Sequence, residues 1–236
     1  MRQLVTFTIA LAGVLSASTP VWCQDARSSG GFAATGEDEP TVQDIRLFNG
    51  RDLSGWDYFL VDENATMDDV WSVEDGILVV QGEPRGYIYT EAEFENFRLV
   101  VEWRWPETPG NSGVLMRITG EPMMLPNSVE AQLQSGNAGD MYGFQGFRIS
   151  GDEEHLSEIP SLQGWGLTKI EGNENEPGEW NRYEITADGD RITLILNGKK
   201  VNEATGCDVR PGRIGLQSEG GVIHFRRVTL TPLEGT

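Results

Sequence analysis

The sequence predicts an all-β fold, a sandwich of two antiparallel sheets packed face to face. After Thr41, turn residues recur about every 8 to 12 positions, and the runs between them are short, β-branched and aromatic. Two of the turns, Asp75-Gly76 and Asn197-Gly198, are residue pairs that accept the positive φ angles of tight hairpins. No segment shows a convincing helical period of apolar residues.

The strand candidates follow one another along the whole domain. In Arg191 to Leu196, apolar residues alternate with polar ones, so one face of that strand is expected to be core. Sandwiches of this jelly-roll kind usually curve, and a concave outer face is where a ligand is expected to bind. In chain order the candidates cover residues 71–73, 77–80, 87–90, 97–105, 113–118, 128–134, 144–149, 181–187, 191–196, 199–203, 213–217 and 222–230.

The N-terminal region is interpreted as a leader and a linker. An apolar run from Leu4 to Leu15 after Arg2 is typical of a secretory signal peptide, and it is shorter than the ~20 residues that a membrane-spanning helix needs. We therefore expect a signal peptide over residues 1–23, no transmembrane anchor, and export to the periplasm or the extracellular space. Residues 24–42, rich in Ser, Gly, Ala and acids, are interpreted as a flexible acidic linker, and residues 43–234 as one β-sandwich domain.

Composition weighs against several function classes. The chain has 37 Asp and Glu against 18 Lys and Arg, a net charge of -19, so its charge repels nucleic acid and anionic membranes, whereas a neutral sugar is not affected by it. Only His155 and His224 are present, and no G-x-S-x-G motif occurs, so a Ser-His-Asp hydrolase is poorly supplied. A zinc site would have to combine one histidine with carboxylates, an alternative that stays open.

Polar residues at alternating strand positions indicate a candidate binding surface. In Ser128 to Gln134, the side chains of Glu130, Gln132 and Gln134 project from one face, while Val129, Ala131 and Leu133 project from the other. The same period places Arg117 outside in the strand from Gly113, and Glu102 outside in the strand from Phe97. We expect these residues to share the open face of one sheet. The alternative is that they are ordinary cross-strand salt bridges, worth ~0.2–1 kcal/mol each.

The supply of carboxylates argues against ordinary glycoside hydrolysis. Two carboxyl groups normally flank the scissile bond, and the strand that should carry them here reads Glu130, Gln132, Gln134. One acid therefore favours either simple sugar binding or a chemistry that needs a single base. Trp165, in the loop 163–166, is the predicted platform on which a sugar ring stacks.

Seven motifs, in this order, resemble the 3-keto-disaccharide hydrolase domain family. The resemblance runs from Leu47 to Leu233, and so many segments in one order are typical of common ancestry. The motifs are Leu47-Phe48-Asn49-Gly50-Arg51-Asp52-Leu53-Ser54-Gly55-Trp56, Trp71-Ser72-Val73-Glu74-Asp75-Gly76, Gly110-Asn111-Ser112-Gly113, Glu130-Ala131-Gln132-Leu133, Gly178-Glu179-Trp180-Asn181, Leu196-Asn197-Gly198 and Gly212-Arg213-Ile214-Gly215-Leu216-Gln217.

The resemblance implies a concanavalin A-like sandwich that cleaves 3-keto-glycosides. A ketone at C3 acidifies the C2 proton, so one base can remove it and expel the C1 substituent by β-elimination, after which water adds. Glu130 is expected to be the base, and Arg117 an oxyanion donor. Gln132, Gln134, Asn111, Glu102, Asn181 and Trp165 are expected to bind or position the substrate.

The resemblance leaves two points open. Its members commonly have an acid at the place of Gln134 and a histidine near Glu219, and this chain has neither. A non-catalytic, lectin-like glycan-binding module of an exported assembly is therefore the alternative function. The sequence requires no cofactor, and the resemblance makes a divalent metal possible, with unassigned ligands.

Overall fold

A computed structural model describes residues 43–234 of the chain, and the predicted signal peptide and linker lie outside these residues. Within this range, one short α-helix, α1 (Met67–Val70), and one 3-10 turn (Pro160–Leu162) accompany the strands. The strands are β1 (Ile45–Arg46), β2 (Trp56–Leu60), β3 (Trp71–Glu74), β4 (Ile77–Val80), β5 (Gly86–Thr90), β6 (Phe97–Arg104), β7 (Gly113–Thr119), β8 (Asn127–Gln132), β9 (Met141–Phe144), β10 (Leu156–Ile159), β11 (Gly164–Leu167), β12 (Asn181–Asp188), β13 (Arg191–Leu196), β14 (Lys199–Ala204), β15 (Arg213–Ser218) and β16 (Ile223–Pro232).

The strands form two antiparallel sheets, which confirms the predicted sandwich. The first sheet has the order β14-β13-β12-β6-β16-β4-β3, with β1 paired to β16. The second has the order β10-β11-β9-β8-β7-β15-β5-β2. Strands that follow each other in the chain often lie in different sheets, as β6 and β7 do, and this decides which predicted residues can meet.

The predicted hairpins are present. Asp75 and Gly76 join β3 to β4, with φ angles of 50° and 81°, and Asn197 and Gly198 join β13 to β14, with φ angles of 50° and 83°. Both pairs have the positive φ that primed turns require. The predicted strand at 144–149 is shifted, because β9 begins at Met141 and ends at Phe144.

One large apolar core fills the space between the sheets. It includes Leu99, Val101 and Trp103 of β6, together with Val129 and Ala131 of β8, all essentially without solvent exposure. A fully buried side chain of this kind contributes ~1.5–3 kcal/mol relative to an exposed one. The alternate residues of β8 must therefore point away from the core, to the outer face of the second sheet.

A smaller apolar cluster lies on the opposite side of the second sheet from the main core. It consists of Tyr87 and Tyr89 of β5, Leu115 and Ile118 of β7, and Phe144 of β9. This face is therefore partly shielded from water, and burying a polar group there costs free energy unless the group is hydrogen-bonded. Among residues 43–234, no helix is long and apolar enough to cross a membrane.

Candidate functional site

Glu130 occupies the middle of the second sheet. In the strand register it lies between Leu115 of β7 and Tyr142 of β9. Because Val129 and Ala131 point into the core, the carboxyl group of Glu130 points to the outer face, as the alternation predicted. Only 2 % of Glu130 is exposed.

A cavity of about 160 Å³ opens beside this carboxyl group. Pockets for drug-sized ligands take ~300–1,000 Å³, so this one suits a single sugar ring or a part of it. Apolar side chains form one wall, and none of the lining residues is Lys, Arg or His. The cavity is lined by Asn111, Leu125, Glu130, Gln132, Tyr142, Phe144, Leu162, Gln217 and Glu219.

Gly113 on β7 makes room for the carboxyl group. A Cβ atom at this position would lie 2.7 Å from Cδ of Glu130, and it would overlap with the Oε1 atoms of both Glu130 and Gln217. Since Gln217 belongs to β15, on the other side of β7, the missing side chain lets two strands direct polar groups into one space. Gly113 of the Gly110-Asn111-Ser112-Gly113 motif therefore has a steric role in the site.

Four buried polar atoms around the cavity have no hydrogen-bond partner among the residues that the structure describes. They are Oε1 of Glu130, Oε1 and Nε2 of Gln217, and Oδ1 of Asn111. An unsatisfied buried polar group costs ~1–3 kcal/mol, so such atoms are normally satisfied by water or ligand. Their convergence on one cavity indicates a binding site for a molecule rich in hydrogen-bonding groups.

The two carboxyl groups of the cavity are electrostatically unusual. Burial raises the pKa of Glu130 well above its ordinary value, and the neighbouring Glu219 raises it further. Burial also raises the pKa of Glu219, an effect that Arg85 opposes and Glu83 strengthens. Acidic side chains with raised pKa values in a partly apolar cavity are typical of acid–base sites.

Two further residues of the cavity are held by the backbone. The Oε1 atom of Gln132 accepts hydrogen bonds from the backbone N–H groups of Leu133 and Gln134, each at 2.8 Å, so its amide N–H groups can serve a ligand. The backbone N–H of Asn111 donates to the carbonyl of Gly220 at 2.6 Å. This bond joins the loop that carries Asn111 to the loop that carries Glu219.

Arg117 does not reach the cavity, and the prediction that it converges with Glu130 is wrong. Its guanidinium donates to the carbonyls of Glu95 at 3.0 and 2.8 Å, Asp208 at 2.6 Å and Gly189 at 2.9 Å, and the side chain is fully buried. The physical reason is a bulge. Arg117 has a φ angle of 53°, and the register of β7 shifts against β8 between Met116 and Thr119, which interrupts the alternation of side chains.

Glu102 and Asn181 lie in the other sheet, so their placement in the site is also wrong. Glu102 accepts a hydrogen bond from Arg182 at 2.8 Å and one from Arg226 at 2.6 Å, which is the cross-strand ion pairing considered as the alternative. The Oδ1 atom of Asn181 accepts from the backbone N–H of Asn175 and from Nδ2 of Asn197, both at 2.8 Å. Asn181 therefore anchors a turn and a loop.

Gln134 and Trp165 lie outside the cavity as well. Gln134 follows the end of β8, is exposed, and accepts a hydrogen bond from Nδ2 of Asn137 at 2.9 Å. Trp165 is 40 % exposed and lines a separate surface pocket with Arg148 and Glu158. Of the predicted site residues, the structure brings Glu130, Gln132 and Asn111 together.

The sequence reasoning missed several residues of the cavity. Gln217 could have been found from the alternation in β15, where Ile214 and Leu216 are core and Gln217 points to the other face. Tyr142 lies two positions before the predicted strand at 144–149, and its ring stacks against Phe144 with an angle of 9° between the planes. Glu219 was noted as a departure from the family pattern but was given no role.

No metal centre is evident in the part of the chain from 43 to 234, where no group of three or more His, Cys, Asp or Glu side chains could hold a metal ion. The cavity offers two carboxyl groups and no histidine or cysteine. A divalent metal stays a prediction that a chelator can test.

Comparison with solved structures supports the fold. A candidate glycosyl hydrolase of Parabacteroides distasonis ATCC 8503 is 27% identical, with a TM-score of 0.57 over 81% of this chain and 100% of that one. A second candidate glycosyl hydrolase of that organism is 23% identical, with a TM-score of 0.60 over 81% and 94% of the two chains. A β-glucanase of Bacillus licheniformis, 13% identical, has a TM-score of 0.53 over 82% of this chain and 100% of that one.

Sequence comparison identifies the family of the chain. No curated protein matches the chain. The family model described as 3-keto-alpha-glucoside-1,2-lyase-like domain matches residues 43–231, which cover nearly all of the region that folds as the sandwich. The chain therefore belongs to the family of 3-keto-alpha-glucoside-1,2-lyase-like domains.

Proposed function

We propose that this protein is an exported enzyme that cleaves the glycosidic bond of 3-keto-glycosides at the Glu130 cavity. Its family and its similarity to a candidate glycosyl hydrolase indicate that the chain is a carbohydrate-active protein with a glycoside-hydrolase type of domain. The observation that carries the proposal is the convergence of four polar atoms, without a partner in residues 43–234, on a cavity of the size of one sugar ring, beside a carboxyl group with a raised pKa.

The proposed reaction uses the acidity that a ketone confers. A carbonyl at C3 makes the proton at C2 removable by a carboxylate, and the resulting enolate expels the oxygen substituent at C1. Water then adds across the new double bond and completes the hydrolysis. This sequence of steps needs acid–base groups and a donor to the C3 oxygen, and it needs no covalent enzyme intermediate.

The donors to the C3 oxygen differ from the sequence-based expectation. Arg117 is bound to three backbone carbonyls, so its charge is unavailable to a ligand. The amide N–H groups of Gln132 and Gln217 take its place in the proposal, because both residues line the cavity and Nε2 of Gln217 has no partner within the described part of the chain. Tyr142 and Phe144, on the β9 side, supply the apolar wall for a sugar ring.

The test is turnover of defined 3-keto substrates by the purified protein. We expect release of the aglycone from 3-keto-trehalose or a 3-keto-glucoside, and a loss of ~10²–10⁴-fold in kcat for Glu130→Gln when the leaving group is an alcohol. Glu158→Gln is the matched control, because Glu158 is an exposed carboxylate in the same sheet outside the cavity. A parallel reaction with a chelator shows whether a metal takes part.

The lectin-like alternative gives a different result in the same experiment. Binding of unoxidised glycans, without product from any 3-keto substrate, would identify a glycan-binding module. The absence of both binding and turnover would leave a structural role. Export is tested separately by locating the tagged full chain in the periplasm or the culture medium.

A further inference from the structure

We infer that Glu130 and Glu219 act as one acid–base pair in which Glu130 carries the proton and Glu219 is the base. This assignment rests on the proposed function and reverses the role that the sequence suggested for Glu130. It also supplies the second carboxyl group that strand β8 lacks.

The positions of the oxygens support a protonated Glu130. The Oε1 atoms of Glu130 and Gln217 both approach the space beside Gly113, and neither has a partner among residues 43–234. Two acceptor oxygens that point at the same space repel each other, and a proton on Glu130 converts one of them into a donor. The carboxyl group of Glu130 then donates to the amide oxygen of Gln217.

The surroundings of the two carboxyl groups support the same assignment, with the proton on Glu130 and Glu219 as the base. Glu130 is faced by Tyr142 of β9, by Glu219 after β15, and by Gln132 of its own strand. The residues between 43 and 234 that line the cavity include no cationic side chain. Glu219 is less deeply buried, and Arg85 and Glu83 act on it from the loop before β5. Burial raises the pKa of both carboxyl groups, but Glu130 is 2 % exposed whereas Glu219 is only half-buried and has Arg85 near it, so the more deeply buried Glu130 is the group that holds the proton.

The pair completes the reaction without a net change in the protein. Glu219 takes the proton from C2, and the electrons of the C2–H bond form a double bond between C1 and C2 by way of the enolate. The C1–O bond breaks, and the leaving oxygen takes its electron pair and the proton of Glu130. In the hydration step, Glu130 takes a proton from the water that adds to C1, and Glu219 returns its proton to C2.

Leaving groups of different acidity separate the two roles. Against an alkyl 3-keto-glucoside, Glu130→Gln and Glu219→Gln should each lose ~10²–10⁴-fold in kcat. Against a nitrophenyl 3-keto-glucoside, whose leaving group needs no proton, the rate of nitrophenolate release in the elimination step should fall less than about tenfold in Glu130→Gln, while Glu219→Gln keeps its full loss. The exchange of the C2 proton in heavy water should survive in Glu130→Gln and disappear in Glu219→Gln.

The opposite pattern would overturn the assignment. If Glu130→Gln loses exchange and nitrophenyl turnover while Glu219→Gln keeps them, Glu130 is the base. Glu219→Asp should recover part of the activity if the carboxylate itself is needed. Glu158→Gln serves again as the unaffected control.

An infrared measurement tests the protonation state without any substrate. The full-length protein at neutral pH should show the band of a protonated carboxyl group, which Glu130→Gln removes and Glu219→Gln leaves in place. If Glu130 is ionised at neutral pH, the amide of Gln217 turns its N–H groups toward it, and the inference fails even if the enzyme is active. If no 3-keto substrate reacts but the band is present, the proposed function fails and the proton assignment stands.

Discussion

Gly113→Ala is the substitution that most directly probes how the site is packed. A methyl group at this position would lie 2.7 Å from Cδ of Glu130 and would overlap with one carboxyl oxygen, Oε1 of Glu130, and one amide oxygen, Oε1 of Gln217. The φ angle of Gly113 is not in the left-handed region, so alanine causes no backbone strain, and the whole effect is steric. Overpacking of this kind costs ~1–3 kcal/mol, from which ~0.4–1 kcal/mol is offset by the reduced entropy of the unfolded chain.

The expected result is a modest loss of stability and a large loss of function. A domain of this size loses about 2–4 °C in Tm per kcal/mol, so Gly113→Ala should melt several degrees below the parent protein. Because the carboxyl group of Glu130 must move away from β7, kcat on a 3-keto-glucoside should fall at least tenfold. Thermal unfolding and steady-state kinetics on the same preparations measure both effects.

The matched control is Gly172→Ala. Gly172 also has an unstrained φ, and the nearest atom to its added Cβ is Cε of Lys169 at 3.7 Å, which is an ordinary contact. Its stability should change by less than about 0.5 kcal/mol, with unchanged kcat. If Gly113→Ala is as stable and as active as the control, the carboxyl group of Glu130 does not lie against β7, and the geometry of the site is refuted.

Four substitutions separate structural from functional residues. Arg117→Met should cost ~3–5 kcal/mol in stability, because it removes a fully buried guanidinium and leaves three backbone carbonyls without their donor, while folded molecules keep their kcat. A primary loss of kcat at unchanged stability would return Arg117 to the catalytic site. Tyr142→Ala should raise KM about tenfold, equivalent to ~1.4 kcal/mol, because Tyr142 lines the cavity. Trp165→Ala should leave KM unchanged, because Trp165 lines a separate pocket. The reverse result would locate the substrate at the exposed tryptophan. A carboxyl group whose pKa is raised by folding stabilises the native state below its unfolded pKa of 4.5, and this contribution is lost as the pH rises through the folded pKa. Glu130→Gln should therefore lose less stability than the parent protein as the pH rises above about 4.5. Equal pH profiles of the two proteins in urea unfolding would contradict the raised pKa of Glu130.

Much of the fold could be predicted because it depends on local pattern. The pairs Asp75-Gly76 and Asn197-Gly198 tolerate positive φ, and the structure has hairpins at both. The alternation around Glu130 was also sufficient to assign its side chain to the outer face, since a strand with one face in the core must turn the other away. The short strands β10 and β11 were missed, because segments of four residues carry little periodic signal.

The site could be predicted only in part, because its residues come from several strands and loops. Alternation along one strand cannot show that β6 and β7 enter different sheets, so Glu102 was assigned to the wrong surface. It also fails at a bulge, where Arg117 turns from the outer face to the backbone carbonyls of neighbouring loops. Gln217 and Glu219 reach Glu130 only through the pairing of β15 with β7.

The sequence by itself therefore determined the sandwich, its hairpins, its family and the outward position of Glu130, since each depends on neighbours within a few residues or on a pattern of motifs. Only the tertiary structure decided which polar groups meet that carboxyl. The reason is that strand order and register bring together residues about 90 positions apart, and the missing side chain of Gly113 gives two of them the same space.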